Sequence, residues 1–396
     1  MASKLTIFKV TGGYIPAEKQ GGTAVVAHDL VKALQLQGHE VKVFTTNANG
    51  DGYLPFENVW KSIEGVDVFF ASKIKSFFPY KSPSLIKELE KQICACDVVL
   101  LAAVWVWYGP IVAKLAKKYH KPVYLYTHGV RSTARMRTQG VLKKLAWWHL
   151  YDKKMFNSVN GIIAITEDEK LELSKLTTQN NIVVVPNGVR EQTVETNPRK
   201  VLSSSYSFSN DTKFIYFLGR TEPTKGCDLL IKSFSQISIG KGNDWRLVIA
   251  GPDRNNHRSE LEQLCRDYAI EDKVVFAGPV SGAVKAALFQ ECSGFALLSV
   301  TEVLAMSALE AMQYAKPVIV TDVNAFAAFI EKGVIYSAAR DENAISNVLM
   351  KMLSGDTEAS LIGRRGREEV QNNYTWSSIA DQTLEVLSTL ELGKKL

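Results

Sequence analysis

The 396-residue sequence predicts an α/β protein of two Rossmann-like domains, and three features carry that expectation. At about 150 residues per domain, the length calls for two to three domains. Short apolar β-rich runs alternate with helix-length intervals from end to end, the pattern of parallel sheets wrapped by helices. A polar, serine-rich stretch without period, residues 191–212, divides the strand set in two and reads as an interdomain linker.

In chain order, the first domain (1–190) has candidate strands at 5–10 (LTIFKV), 41–46, 66–71, 98–104, 123–128, 161–166 and 181–186. Their continuous apolar content predicts sheets buried on both faces. Between the first two strands, Val26, Leu30, Ala33 and Leu34 recur at helical spacing, and Gly38 supplies the left-handed residue that ends the helix. The second domain (213–375) repeats the pattern with strands at 213–219, 246–251, 274–278, 294–299, 317–322 and 334–337. Residues 376–396, with apolar Ile379, Leu384, Val386 and Leu387, read as a closing amphipathic helix.

Composition narrows the function. With 46% hydrophobic and 22% charged residues, the chain is neither disordered nor fibrous. The uncharged run Val98 to Ala113 is broken by Gly109-Pro110 before it reaches the roughly 20 residues of a membrane span. Lys9 interrupts the N-terminal apolar run, so that run reads as a strand rather than a secretory signal, and a cytoplasmic protein is expected. Five scattered cysteines fit reduced thiols without a role, and no metal site is expected of them.

Charge is uneven. Residues 1–190 hold 25 basic and 15 acidic side chains, against 22 and 26 in 191–396. Residues 114–154 alone hold eleven basic residues and one acid, Asp152. Within 131–156, Lys143 and Lys144 stand beside Trp147 and Trp148, a mixture suited to docking on an anionic membrane surface. No nucleic-acid-binding motif accompanies the basic face, so nucleic acid is not an expected partner.

Ligands of open parallel sheets bind beyond the carboxyl ends of the strands. After 213–219 comes G-R-T-E-P-T-K-G, which puts Arg220 and Lys225 on one loop near a helix start, a pairing suited to a diphosphate. After 294–299, Glu302 lies in a loop and Glu310 eight residues on, among Leu309, Ala311 and Met312. A partly buried carboxylate there needs donors, and sugar hydroxyls supply them. Thr166-Glu167-Asp168-Glu169 reads as a helix capping box. Trp105 and Trp107 fit a ligand cleft or the core equally well, and His39 reads as structural.

These motifs stand in a set with Gly21-Gly22 before the first helix, G-H-E-V at 38–41, T-H-G at 127–129, P-N-G-V at 186–189 and K-P-V-I-V-T-D at 316–322. In order and spacing, over nearly the full length, the chain resembles the retaining GT-B glycosyltransferases of family 4. The resemblance implies two domains facing each other across a cleft, with the last helix crossing back to the first. It assigns Arg220 and Lys225 to the donor diphosphate, Glu310 to the ribose, Glu302 to the transferred hexose and His128 to the sugar from the acceptor domain. Gly21, Gly22, Val280, Ala305 and Met306 would complete the donor site, with 276–280 beside the base. It further implies a nucleotide-diphosphate sugar as donor, a glycan or lipid-linked acceptor, and transfer without a metal or other cofactor; the sequence contains no D-x-D. Val303, Leu304 and Ala305 stand where the family has a glycine-rich turn, and Ala325 and Ala328 replace an expected glycine and acid. A GT-B sugar-nucleotide epimerase and a catalytically impaired sugar-nucleotide-binding subunit are the alternative readings.

Overall fold

Apolar β-branched and aromatic runs dictate the strands that form. The computed structural model describes residues 4–129, 145–238, 245–354 and 357–392. The chain divides into two units, one of residues 1–188 together with 376–396, the other of residues 189–375.

The first unit holds strands β1 (Thr6–Val10), β2 (Glu40–Thr46), β3 (Ala48–Asn49), β4 (Gly52–Tyr53), β5 (Val59–Ile63), β6 (Val66–Ala71), β7 (Val98–Ala102), β8 (Val123–Tyr126), β9 (Gly161–Ala164) and β10 (Ile182–Val184). The main sheet runs β10-β9-β8-β7-β1-β2-β6-β5, and β3 pairs with β4 in a separate hairpin. The pleat divides β1 between two cores. Phe8 and Val10 face a cluster with Leu85, Leu89, Val112 and Phe156, while Ile7 faces one with Leu30, Leu34 and Tyr124.

The last helix, Trp376–Leu392, belongs to this unit. Its Ile379, Ala380 and Leu387 enter the Ile7 cluster beside the helix Gly22–Leu36, and Gln37 Nε2 donates to Asp381 Oδ1 at 2.8 Å. The residues that the 3.6 period picks out on the Gly22–Leu36 helix (Val26, Leu30, Ala33, Leu34) are all buried, and Gly38 has φ +92°.

The second unit holds β11 (Lys213–Leu218), β12 (Trp245–Ala250), β13 (Val274–Gly278), β14 (Gly294–Leu297), β15 (Val318–Thr321) and β16 (Tyr336–Ala338), all parallel, in the order β13-β12-β11-β14-β15-β16.

Two features add detail to the sequence reading. The stretch 191–212 is not a bare connector: Pro198–Tyr206 is a helix packed on Gly282–Glu291, with Leu202 buried and Arg199 paired to Glu291. Strand β5 is antiparallel to β6; its VWKSI run is short, half exposed and joined by a tight turn at Glu64-Gly65, both at positive φ. No helix among the described residues is long and apolar enough to cross a membrane.

Candidate functional site

Strand order locates the site before any side chain is considered. In the second unit the order reverses between β11 and β14, so the loops after these strands diverge and leave a crevice at their carboxyl ends. Arg220 and Lys225 lie on the first loop and Glu302 on the second. The loops are joined by Val300 N donating to Thr224 O at 2.8 Å.

Lys225 Nζ donates to Glu302 Oε1 at 2.5 Å, and Ser299 Oγ donates to the same oxygen at 2.7 Å. Arg220 Nη2 lies 2.9 Å from Glu222 Oε1, and Arg254 Nη1 lies 3.9 Å from Glu222 Oε2. Both cations of the G-R…K-G loop are therefore held by carboxylates of the chain itself. Such contacts orient a cation and can be exchanged for phosphate oxygens.

Gly226, which closes the loop, has φ +72°, and a Cβ there would lie 2.0 Å from Leu298 O. Gly226→Ala is therefore expected to destabilise the second unit by about 2–4 kcal/mol, through backbone strain plus that collision, and to displace Lys225. A thermal melt with and without nucleotide checks this.

Glu310 lies on the helix Met306–Gln313, and its Oε1 accepts from Lys285 Nζ at 2.8 Å. The pair lines a cavity of about 330 Å³ with Val280, Phe289, Gln313 and Tyr314. Ala305 is the N-cap of the Met306 helix and supplies no side-chain cap; its carbonyl accepts from Ala308 N at 3.1 Å. Ala325 and Ala328 lie apart from this loop, in a short turn and the helix Ala327–Glu331 after β15.

In the first unit, Gly21 (φ +69°) and Gly22 open the helix Gly22–Leu36, and a Cβ at either would meet nothing within 4 Å. Gly21 is thus required by its backbone angle, not by a crowding neighbour. His128 follows β8 at φ +49°, and its ring stacks on Tyr126 with centroids 5.5 Å apart. Burial and, after it, the Lys9 ammonium push its pKa down to about 3. The T-H-G turn is pinned by Glu169, whose carboxylate accepts from Thr127 Oγ1 (2.6 Å), Gly129 N (2.7 Å) and Ile165 N (2.8 Å).

Glu169 meets half of the capping-box expectation and adds to it. Thr166 Oγ1 accepts from Glu169 N at 3.2 Å as a cap requires, while the carboxylate accepts from Ile165 N, just before the cap, and reaches on to the T-H-G turn. His39 Nδ1 accepts from Leu5 N at 3.1 Å. Trp105 and Trp107 are partly buried against the core that contains Phe8.

Two family models match the chain, Glycosyltransferase Family 4 over residues 20–193 and Glycosyl transferases group 1 over residues 199–369. The chain is a GT-B glycosyltransferase of family 4. An uncharacterized glycosyltransferase of Methanocaldococcus jannaschii is 26% identical, over 96% of this chain and 97% of that one. A D-inositol 3-phosphate glycosyltransferase of Kineococcus radiotolerans is 24% identical, over 92% and 90%. Among solved structures, sucrose-phosphate synthase of Thermosynechococcus elongatus shares the fold with a TM-score of 0.76 at 16% identity, over 98% and 100% of the two chains. HepE of Anabaena, solved with UDP and glucose, does so at 0.74 and 16%, over 97% and 100%.

The residues of this glycosyltransferase expected at a membrane separate. Lys143 and Lys144 lie outside the described residues. Trp148 is 4% exposed and packs on Phe156, so it is a core residue and not a membrane contact. The cause is helical spacing: Trp148 and Asp152, four apart, both turn inward, and Trp147 and Tyr151 form the neighbouring row against Phe78. Asp152 is fully buried and accepts from Trp147 Nε1 and Trp105 N. Phe77 (77% exposed) and Leu150 (65%) supply apolar groups that sequence inspection passed over, near exposed Lys153 and Lys154 on the same helical segment as Leu150.

Inspection also passed over Glu222, Arg254 and Lys285. Glu222 carried a readable signal, an acid between two cations in one tight loop; Arg254 and Lys285 reach the site from the segments after β12 and β13 and carried none.

Proposed function

We propose that this glycosyltransferase moves a hexose, with retention and without a metal, from a nucleotide-diphosphate sugar to a glycan or lipid-linked acceptor presented at an anionic membrane in the cytoplasm. One observation carries the donor half: two ion pairs, Arg220 with Glu222 and Lys225 with Glu302, lie on the loops of the β11/β14 switch point, and a further carboxylate, Glu310, lines a cavity on the same unit. Arg220 and Lys225 take the diphosphate, Glu310 the ribose hydroxyls, Val280 and its neighbours the base, and Glu302 the hexose. On donor binding Lys225 exchanges part of its contact with Glu302 for phosphate oxygen, and Lys285 releases Glu310 to the ribose. The leaving diphosphate accepts the acceptor's proton on the face from which it departs, so the protein contributes position and positive charge. Ala305 in place of glycine leaves the charged contacts intact.

Calorimetry against UDP, GDP and ADP tests the donor half. One of them is expected to bind with Kd in the micromolar range, and Arg220→Ala or Glu310→Ala to weaken it by roughly 10-fold or more, a loss of one charged hydrogen-bonded contact. Absence of binding to all three sinks the proposal.

The membrane half rests on the basic segment and on the exposed Phe77 and Leu150. Basic residues near an anionic surface contribute on the order of 1 kcal/mol each, so recruitment is expected to be strong and salt-sensitive. In flotation with phosphatidylserine vesicles, replacing Phe77, Lys143, Lys144 and Leu150 by serine is expected to abolish binding. Equal partitioning of the native chain to neutral and anionic vesicles counts against the docking surface alone.

A further inference from the structure

Lys9 points into the interior of the first unit. It is 0% exposed, and its Nζ is buried without a hydrogen-bond partner. Folded proteins rarely keep a desolvated amine unpaired, so this one calls for a use. Its Nζ lies 4.3 Å from the centroid of the Tyr126 ring, over the aromatic face that attracts a cation. Tyr126 is itself fixed, with its hydroxyl 3.2 Å from Thr383 Oγ1 and its ring stacked within 20° of the His128 imidazole. The Tyr126 ring thus touches both groups, the Lys9 ammonium and the His128 imidazole.

We propose that Lys9 is a positioning residue for the transfer site: its charge against the Tyr126 ring reinforces burial in keeping the His128 imidazole neutral, so that His128 meets a sugar hydroxyl as a hydrogen-bond partner and not as an acid. This rests on the reading that His128 faces the transferred sugar. A second positive charge against the Tyr126 ring is disfavoured by the first, while a neutral imidazole keeps one N–H donor and one lone pair, the complement of a hydroxyl. Among the described residues, the titratable groups around His128 are Lys9 from β1, Tyr126 from β8 and, through the neighbouring Thr127 and Gly129, Glu169 from the helix Glu167–Ser174. Burial raises the pKa of Glu169, so on the acid side its negative charge is partly quenched and opposes Lys9 less; for the imidazole, burial comes first and the Lys9 ammonium adds to it. Burial brings Lys9 itself down to about 7, so the ammonium is present on the acid side of neutrality, where an imidazole would otherwise take its proton.

Histidine NMR titration of the full chain between pH 8 and pH 4.5, with the His128 signal identified by its loss in His128→Gln, tests this. The native His128 signal is expected to stay flat across the range. In Lys9→Met its midpoint should rise by at least about one pH unit, so that protonation becomes visible by pH 4.5, while the other histidines hold their midpoints. Lys9→Leu serves as the second variant should the methionine variant fail to fold. An unchanged His128 midpoint in a folded variant, or protonation of native His128 above pH 6, overturns the inference. Lack of transferase activity would instead strike the functional reading and leave the titration result standing.

Discussion

Lys225→Ala is expected to lower kcat/KM for nucleotide-sugar turnover by about 10²–10³-fold, the scale on which loss of a charge-stabilising donor acts in a transition state. In the proposed transfer, negative charge grows on the departing phosphate, and the ammonium stands one contact from the hexose carboxylate Glu302. The substitution acts twice. It removes the cation and also leaves Glu302, 9% exposed, with Ser299 as its remaining contact in this cluster. A partly buried carboxylate that has lost its counter-charge is destabilising, so the melt of the second unit should fall as well.

The two effects separate in the double variant Lys225→Met with Glu302→Gln, which removes both charges together. Its thermal stability should return to within about 1 kcal/mol of the native chain, while turnover stays at the level of the single variant or below. Steady-state kinetics with the nucleotide sugar whose nucleotide binds in calorimetry, run beside the melts, reads both. Activity of Lys225→Ala within threefold of native would remove Lys225 from the mechanism.

How far this site could be read in advance depends on the kind of signal each residue leaves. The placing of Arg220, Lys225 and Glu302 was legible because strand ends can be located from apolar runs such as KFIYFL and GFAL, and a charge in the loop past a parallel strand faces the ligand edge; Glu310 stood out instead as a lone acid among apolar helix residues. The two buried sheets were legible for the same reason. Strand β5 was not, since a short half-exposed edge strand alternates too weakly to stand out from a loop. Lys9 was read only as an interruption in an apolar run; a period of two places it on the Ile7 face, but nothing local announces that this face is sealed by the helices Gly22–Leu36 and Trp376–Leu392, the latter some 370 residues away in sequence. Trp148 failed for a related reason. In a helix rich in both bases and aromatics, composition does not say which row turns inward.

Glu169 shows the same limit from the other side, and its loss has a large expected effect on the stability of the first unit. A cap explains one of its bonds, the one made by its backbone; its side chain satisfies three donors at long range in sequence or across a turn, two of them backbone N–H groups with no second acceptor in the immediate ladder. Glu169→Ala leaves Thr127 Oγ1, Gly129 N and Ile165 N in a buried pocket without that acceptor, at an expected cost of about 2–4 kcal/mol. For a unit of this size that is a drop of roughly 5–15 °C in the melt of the first unit. The T-H-G turn should loosen with it and carry His128 out of place, so transfer should fall even at temperatures where the variant is folded. Glu169→Gln keeps the shape but sets an amide N–H₂ against a backbone donor, and its cost should be smaller, about 1–2 kcal/mol.

The pH dependence adds a check with a definite sign. Burial is the foremost influence on Glu169 and raises its pKa above the usual glutamate value, against the lowering by its three hydrogen bonds. The folded chain therefore holds this proton at a pH where the unfolded chain has released it, and the stability associated with the group falls as pH rises from the ordinary glutamate range through the raised folded pKa, then levels off. Glu169→Gln has no such proton. The stability advantage of the native chain over this variant should accordingly be greatest at the acid end, shrink through that window and become constant above it. A gap that widens with rising pH would mean that the hydrogen bonds outweigh burial at Glu169, and that the folded chain keeps the carboxylate at the turn ionised through the ordinary glutamate range.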